Sequence, residues 1–335
     1  MSAATISLGA DINIGAVIAA RAKDARTRTL LLGALAVLAA AFFLLWDAAG
    51  AWQIIAAFRL KRLAALIVVA VALSAATVIF QAVARNRILT PSVMGFDAMY
   101  ALVATASVFF LTAHTVNMIP ASIMFLLQSA LMALLATTMF MTVLKRRSVH
   151  LLVLVGVVVG TLLRSITNMM SIVMDPNEYL AAQDLSTASF ATVNTSALWI
   201  TVATSIGAIG YAMWRANIWD VLAMGPSIAT GLGVNYNREV KAALAVSAIL
   251  VSAATALAGP LMFFGLLIAN IAVAALGSAS IRYLLPAASA IGVIVLVGGQ
   301  GILEHVLGGE TILPIVIEFV GGALLLAMLV REARR

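Results

Sequence analysis

Long apolar segments follow one another along almost the whole chain, with short polar segments between them. Each is apolar at both odd and even positions, whereas the strands of a membrane β-barrel are about 10 residues long and alternate. A helix needs about 20 apolar residues to cross the hydrocarbon core of a bilayer, so we interpret the segments as transmembrane helices. The pattern predicts ten spans, near Thr29–Trp46, Leu63–Ala84, Gly95–Leu111, Ile119–Leu144, His150–Met170, Thr195–Trp214, Val240–Ala258, Leu261–Leu276, Tyr283–Val297 and Ile315–Val330.

Two polar segments interrupt this pattern. The segment near residues 175–194 begins with Asp175-Pro176-Asn177, and we predict an external helix there. The segment near residues 217–233 contains short apolar pieces that are broken by Gly225-Pro226 and Gly233. Glycine and proline interrupt helices, so we predict short cytoplasmic helices here, suited to insertion into the cleft of a partner.

The composition predicts an all-α polytopic membrane protein with about ten transmembrane helices. Apolar residues make up 64% of the chain and charged residues only 10%. A soluble domain has about 25% charged residues, so lipid must cover much of this surface. We predict a cytoplasmic N-terminal arm over residues 1–28 and a single transmembrane domain over residues 29–335.

The net charge of +7 is explained by orientation in the membrane, and we predict no nucleic-acid partner. Cytoplasmic loops of membrane proteins carry an excess of Lys and Arg. With the N-terminus inside the cell, most of the basic residues fall in cytoplasmic segments, so both termini are predicted to be cytoplasmic. These residues are Arg21, Lys23, Arg26, Arg28, Arg85, Arg87, Lys145, Arg146, Arg147, Arg215, Arg238, Lys241, Arg282, Arg331, Arg334 and Arg335.

One basic cluster, Arg59-Leu60-Lys61-Arg62, lies on the external side of this topology. It is either an anchor for lipid headgroups or a docking patch for an acidic partner outside the membrane. Arginine favours the second interpretation, because its planar guanidinium matches the geometry of a carboxylate.

The chain offers no recognisable catalytic or metal-binding motif. It has no cysteine, and its three histidines, His114, His150 and His305, lie far apart at span ends. We assign no catalytic residue, metal or cofactor to this chain. The phosphate-binding pattern Gly-x-x-x-x-Gly-Lys-Ser/Thr is also missing from the sequence, so ATP-driven transport would require a separate ATPase.

Four stretches resemble one known family in their order and spacing. Arg59–Arg62 is similar to an Arg-Leu-Pro-Arg motif before the second span, and Gln81 with Arg85–Pro91 is similar to Gln…Asn-Pro-Leu-Ala-x-Pro. Residues 222–233 end in Ala-Thr-Gly-Leu-Gly, similar to Ala-Arg-x-Leu-Gly. Residues 259–271 are similar to Gly-Pro-Ile-x-Phe-x-Gly-Leu-x-x-Pro-His-Ile. The chain thus resembles the iron-chelate and vitamin B12 permease family of ATP-binding-cassette (ABC) importers, across residues 29–335.

The resemblance implies a multisubunit assembly in the inner membrane of a bacterium. A second permease subunit, homologous or identical to this chain, would form the translocation pathway with it. A cytoplasmic dimer of ABC ATPases would bind ATP and Mg and carry out the hydrolysis, so this chain is not expected to be an enzyme. A periplasmic or lipid-anchored substrate-binding protein would deliver the cargo.

The resemblance also gives roles to three groups of residues. Arg59 and Arg62 are expected to dock the binding protein. Asn86 and Ile88 correspond to positions that narrow the cytoplasmic end of the pathway as a gate, although an ordinary connector is an equal alternative. The residues expected to couple the chain to the ATPase are Leu222, Gly225, Ala229, Leu232 and Gly233.

Polar residues within the fifth span are candidates for the pathway. Arg164 and Asn168 lie there, and an arginine at mid-span costs about 2.5–3.5 kcal/mol on insertion scales, so it should face protein or water. Arg164 therefore either lines the pathway of an anionic chelate or forms a structural pair with an acidic residue such as Asp97.

The cargo and two other classes of function remain as alternatives. Ala269-Asn270 replaces the usual Pro-His, and Glu304 stands near the position of an Arg in the vitamin B12 permease. These departures argue against vitamin B12, and residues 90–97 resemble the permeases for ferric siderophores. The resemblance thus implies a ferric siderophore, with vitamin B12 or haem as alternatives. An ion-coupled secondary transporter usually has acidic groups at mid-membrane, whereas Asp97 and Glu318 lie near span ends. An intramembrane enzyme would need paired catalytic groups within the spans.

Overall fold

The computed structural model describes residues 14–46, 52–144, 149–190, 193–277, 280–305 and 313–333, and every regular element in these ranges is helical. A short 3₁₀ turn (Ser92–Met94) precedes α3, and a π-helical turn (Ile294–Gly298) joins α11 to α12. The α-helices are α1 (Ile14–Leu45), α2 (Trp52–Ala84), α3 (Phe96–Met118), α4 (Ala121–Leu144), α5 (Val149–Val173), α6 (Pro176–Ser186), α7 (Thr195–Ala223), α8 (Pro226–Gly231), α9 (Tyr236–Ala258), α10 (Phe264–Leu276), α11 (Ile281–Val293), α12 (Gly299–His305) and α13 (Leu313–Ala333).

The ten predicted spans each lie in a different apolar helix, and the all-α polytopic membrane fold is confirmed. Within the described ranges, eight helices are long and apolar enough to cross a membrane: α1 to α5, α7, α9 and the continuous α11–α12. Helices α10 and α13 contain the two shorter apolar spans.

Several helices extend beyond the predicted spans, among them α1, α2, α3, α7 and the continuous α11–α12. Helix α1 begins at Ile14, so residues 14–28 continue into the first span. Helix α7 continues past the predicted end of its span to Ala223, because no helix-breaking residue occurs before Gly225-Pro226. The rest of the predicted arm, residues 1–13, and the basic cluster at 145–147 lie outside the described residues.

Helix α2 forms the centre of the molecule, and most of its side chains over residues 63–84 are buried. Gly265 of α10 faces Thr77 of α2, and Gly292 of α11 faces Ser74. A Cβ atom at either glycine would collide with the α2 side chain. Small residues let helix backbones approach closely. Such close packing stabilises helix association in a membrane, where the hydrophobic effect does not drive helices together.

Long-range contacts gather several helix ends at one end of the molecule. Nη1 of Arg28, in α1, donates to the carbonyl oxygen of Ala275 near the end of α10, at 2.8 Å. The carboxylate of Asp220, near the end of α7, accepts from the backbone N–H of Ile281, the first residue of α11, at 2.7 Å. We call this the cytoplasmic end, because the charge distribution predicts that it faces the cytoplasm.

The opposite helix ends meet at a second surface, which we call the external end. Nη1 of Arg59, in α2, donates to the carbonyl oxygen of Trp46, just after α1, at 2.6 Å. The backbone N–H of Ser189, after α6, donates to the carbonyl oxygen of Ala258 at the end of α9, at 2.9 Å. Helix α6, in the segment predicted to be an external helix, therefore leads into this surface.

The connector between α2 and α3 runs into the interior of the helix bundle. At its end, Gly95 has φ +93°, and a Cβ atom there would lie 3.1 Å from Cα of Gly160 and 3.2 Å from the carbonyl oxygen of Gly156. Gly160 lies about 16 Å along α5 at 1.5 Å per residue, so α3 begins deep within the bundle. Irregular backbone at such a depth requires cover by protein, and residues 89–91 are buried.

Candidate functional site

The segment over residues 217–233, which we call the coupling segment, is held at the cytoplasmic end by two buried side chains. Leu222 and Ala229 have no exposed surface. Gly225 and Gly233 have φ of +109° and +79°, in the region that only glycine adopts readily. Of the five residues proposed for coupling, Leu222 and Ala229 anchor the segment, Gly225 and Gly233 shape it, and Leu232 alone presents a large side chain to solvent.

Three large apolar side chains are exposed on this segment. Met224 is 60% exposed, Ile228 50% and Leu232 64%. Sequence reasoning identified Leu232 and missed the other two, although a long apolar residue in a segment outside the lipid is itself a signal. An exposed apolar patch rimmed by polar residues is typical of a protein interaction surface.

A cluster of polar side chains binds the flanks of the coupling segment together. The guanidinium of Arg215, in α7, forms an ion pair with the carboxylate of Glu239, in α9, and Glu239 is only 5% exposed. Nε1 of Trp219 donates to the same carboxylate at 3.2 Å. Arg215 and Trp219, one turn apart on α7, thus both contact α9. The neighbouring Asp220 accepts a hydrogen bond from the hydroxyl of Ser280, just before α11, at 2.7 Å. Sequence reasoning missed these pairings, because their partners are far apart in the chain.

The proposed gate residues lie in a connector that is fixed by hydrogen bonds. Oδ1 of Asn86 accepts from the backbone N–H of Ile88 at 2.9 Å, and both residues are half-buried. The carbonyl oxygen of Arg87 accepts from Nε2 of Gln81 at 2.7 Å and from Nδ2 of Asn270 at 3.4 Å. The stretches over residues 81–91 and 259–271, which both carry the family resemblance, thus meet at the carbonyl group of Arg87.

The pathway candidates lie on an exposed face of α5. Arg164 and Asn168 are exposed, as are Thr161 and Ser165. Gly156 and Gly160, which contact the start of α3, precede Arg164 and Asn168 at intervals of four residues, so Arg164 lies one helical turn beyond that contact. Among the described residues, no acidic group lies within ion-pair distance of Arg164, although its charge acts on Asp97.

Asp97 lies in the deep first turn of α3 and is buried, at 6% exposure. Ser92, in the turn before α3, is the polar side chain closest to the Asp97 carboxylate in hydrogen-bonding terms, and no ion pair reaches this carboxylate within the described ranges. The sequence analysis placed Asp97 near the end of a span, whereas α3 begins deep in the bundle and Asp97 is buried there. Arg164 and Glu318 are the charged groups that act on it electrostatically.

The two arginines proposed for docking lie at the external end, where both already have contacts within the chain. Arg59 donates to the carbonyl oxygens of Leu44 (3.2 Å) and Trp46, which satisfies the C-terminus of α1. Arg62 forms an ion pair of 2.7 Å with Glu304, whose carboxylate also accepts from Gln300.

These arginines line an external pocket with a volume of about 550 Å³. Lys61 lines the same pocket and has no ion-pair partner among the described residues. The remaining lining residues combine aromatic and polar groups: Phe43, Phe58, Phe190, Val193, Asn194 and Glu304. The pocket is thus a basic concave surface lined in part by aromatic side chains.

Comparison with known proteins identifies the relatives of this chain. The FecCD transport family matches residues 29–331. The petrobactin import system permease protein YclO of Bacillus subtilis (strain 168) is 37% identical over 305 residues, which cover 90% of this chain and 96% of that protein. The petrobactin import system permease protein FatC of Bacillus anthracis is 31% identical over 82% of this chain and 78% of its own length.

A solved structure shares the fold. It is described as an inward-facing conformation of a metal-chelate type ABC transporter, and it superimposes with a TM-score of 0.80 at 20% identity. The match covers 92% of this chain and 99% of the other, so the arrangement of helices agrees over nearly the whole length.

Proposed function

The chain belongs to the FecCD transport family, and from this premise we propose that it is a permease subunit of an ABC importer that moves a ferric siderophore across the bacterial inner membrane. The observation that carries the proposal is the 37% identity with a petrobactin import permease over 96% of that protein's length. Both relatives described above are named for petrobactin import, which supports a ferric siderophore over vitamin B12 or haem.

The exposed polar face of α5 supports a pathway between this chain and a second permease subunit. Arg164 and Asn168 would be unfavourable against lipid, since burying one arginine in the membrane costs about 2.5–3.5 kcal/mol on insertion scales. A water-filled pathway on this face, closed by a homologous or identical subunit, would hydrate them. Arg164 would then attract an anionic chelate.

The coupling segment supports an ATPase partner at the cytoplasmic end. Its exposed Met224, Ile228 and Leu232 form an apolar surface that a cleft on the ATPase would cover. The buried ion pair between Arg215 and Glu239 makes the flanking ends of α7 and α9 one unit. Movement of the ATPase would therefore reach two membrane helices together.

A gene deletion tests this function in the host cell. Loss of this permease should abolish uptake of iron from ferric petrobactin while leaving uptake of haem iron unchanged, and a plasmid-borne copy should restore it. Normal uptake from ferric petrobactin together with loss of vitamin B12 uptake would assign the cargo to the alternative class.

The external pocket supports docking of the binding protein. Lys61 is the best position at which to test this, because it has no ion-pair partner among the described residues. Charge reversal at Arg59 would also break its hydrogen bonds to the end of α1. Charge reversal at Arg62 would place a carboxylate against Glu304. Lys61→Glu leaves these contacts intact. Since an exposed ion pair contributes about 0.2–1 kcal/mol, and repulsion adds to its loss, we expect the affinity for the binding protein to fall about threefold to tenfold.

The measurement is binding-protein affinity for the permease complex in nanodiscs at two salt concentrations. The effect should shrink at high salt, because screening shortens the range of the charges. Lys241→Glu, which makes the same charge change at the cytoplasmic end, is the matched control and should have no effect. Equal affinities for Lys61→Glu and the unaltered protein at both salt concentrations would mean that the basic cluster is a headgroup anchor.

A further inference from the structure

We propose that Arg85 is a positioning residue that connects the coupling segment to the cytoplasmic gate at Asn86 and Ile88. The inference rests on the proposed function, because it presumes an ATPase that moves the coupling segment. Arg85 directly precedes Asn86, and its side chain reaches the turn at Gly225, where α7 ends and α8 begins. Arg85 thus adjoins the gate in sequence and contacts the coupling segment through its side chain.

The backbone of Arg85 adopts an unfavourable conformation. It follows Ala84, the last residue of α2, with φ +50°. This left-handed conformation is common after a helix, but glycine or asparagine usually occupies the position, because a larger side chain crowds the backbone. A strained residue of this kind persists where the surrounding structure holds it, and such residues are frequent at functional and switch regions.

The side chain of Arg85 packs on Gly225, whose backbone conformation disfavours other residues. A Cβ atom at Gly225 would lie 2.9 Å from Nη1 of Arg85 and 3.9 Å from its Cζ. Gly225 also has φ +109°, so a side chain there would be strained as well as obstructed. The C-terminal carbonyl groups of α7 carry partial negative charge, which favours a guanidinium at this position.

The far side of the gate is fixed to other helices. The carbonyl oxygen of Arg87 is held by Gln81 of α2 and Asn270 of α10. The connector is therefore hydrogen-bonded to the bundle at Arg87, and it contacts the coupling segment through the side chain of Arg85. We expect displacement of Gly225 by the ATPase to change the orientation of Asn86 and Ile88, which lie beside these two contacts.

The alternative is that Arg85 is only one of the basic residues that orient the protein in the membrane. Arg87 provides a matched control, because it is also basic and exposed and lies two residues further along the same connector. Replacement of Arg87 by alanine removes the same charge and keeps the backbone carbonyl group that accepts from Gln81 and Asn270.

The test measures movement of the gate at Ile88. The natural chain has no cysteine, so Ile88→Cys introduces a single labelling site into this subunit. The complex with its ATPase and binding protein is reconstituted in nanodiscs, and the rate of maleimide labelling at position 88 is compared without nucleotide and with ATP and vanadate. We expect the two rates to differ severalfold with Arg85 present and with Arg87→Ala.

Arg85→Gly is the decisive variant, since glycine favours φ +50° and the fold should be retained. We expect labelling at position 88 to become independent of nucleotide while ATP hydrolysis continues. Arg85→Lys, which keeps the charge without the planar group, should give a partial response.

If Arg85→Gly keeps the nucleotide response, or if Arg87→Ala loses it equally, the inference is wrong and the proposed function stands. If the protein with Arg85 intact shows no ATPase association or nucleotide response, the proposed function itself is wrong.

Discussion

Replacement of Leu232 by aspartate is expected to release the ATPase from the permease. Leu232 is 64% exposed, so the change should leave the fold intact. In the proposed interface its side chain would be buried against the ATPase, and an unpaired carboxylate buried there would cost several kcal/mol. Since 1.4 kcal/mol is a tenfold change in affinity, we expect copurification of the ATPase to fall by more than about tenfold.

Two controls separate this effect from general damage. Asn237→Asp adds the same charge to the first turn of α9, where a carboxylate is favourable, and should leave copurification unchanged. At Gly233, φ is +79° and no atom lies within 4 Å of the position that a Cβ atom would occupy, so alanine and glutamate cause the same backbone strain. Gly233→Glu should uncouple transport more severely than Gly233→Ala. Normal copurification and uptake with both Leu232→Asp and Gly233→Glu would exclude the coupling segment as the ATPase contact.

Charge reversal at Arg164 is expected to block uptake of an anionic chelate. At 4 Å and an effective dielectric constant of about 20, two unit charges interact by about 4 kcal/mol, and Arg164→Glu converts this attraction into repulsion. We therefore expect the rate of iron uptake to fall at least about 100-fold, a change that corresponds to about 2.8 kcal/mol. Arg164→Lys keeps the charge and should retain most of the uptake. The abundance of the permease and its association with the ATPase should be unchanged.

A structural role for Arg164 makes a different prediction. If its function is to neutralise the buried Asp97, then Asp97→Asn should restore uptake to an Arg164→Gln variant. If Arg164 lines the pathway, the double variant should transport as poorly as Arg164→Gln alone. Rescue by Asp97→Asn would contradict the assignment of Arg164 to the pathway.

The sequence was sufficient for the spans, because a lipid-facing helix must be apolar over about 20 residues and leaves a clear pattern. The same criterion failed at the end of α7. Residues 215–223 mix polar and apolar side chains, so hydropathy ends the span before them although nothing interrupts the helix. Their polar members, such as Arg215 and Asp220, are satisfied by partners on α9 and at the start of α11.

Features that depend on residues far apart in the chain could not be predicted in this way. The ion pair between Arg62 and Glu304 joins α2 to α12, and it changes how a charge-reversal experiment at Arg62 must be designed. The deep start of α3 depends on contact between Gly95 and α5. Here a sequence signal was present, since Gly156 and Gly160 form the small-xxx-small pattern of close helix packing.

Uptake of ferric siderophore by purified components tests the central claim most directly. The permease, its companion subunit and the ATPase are reconstituted in liposomes with the binding protein outside, and radiolabelled iron supplied as ferric petrobactin is counted inside. We predict accumulation that requires internal ATP and this permease. Accumulation driven by a proton or sodium gradient, without the ATPase, would contradict the account and identify a secondary transporter.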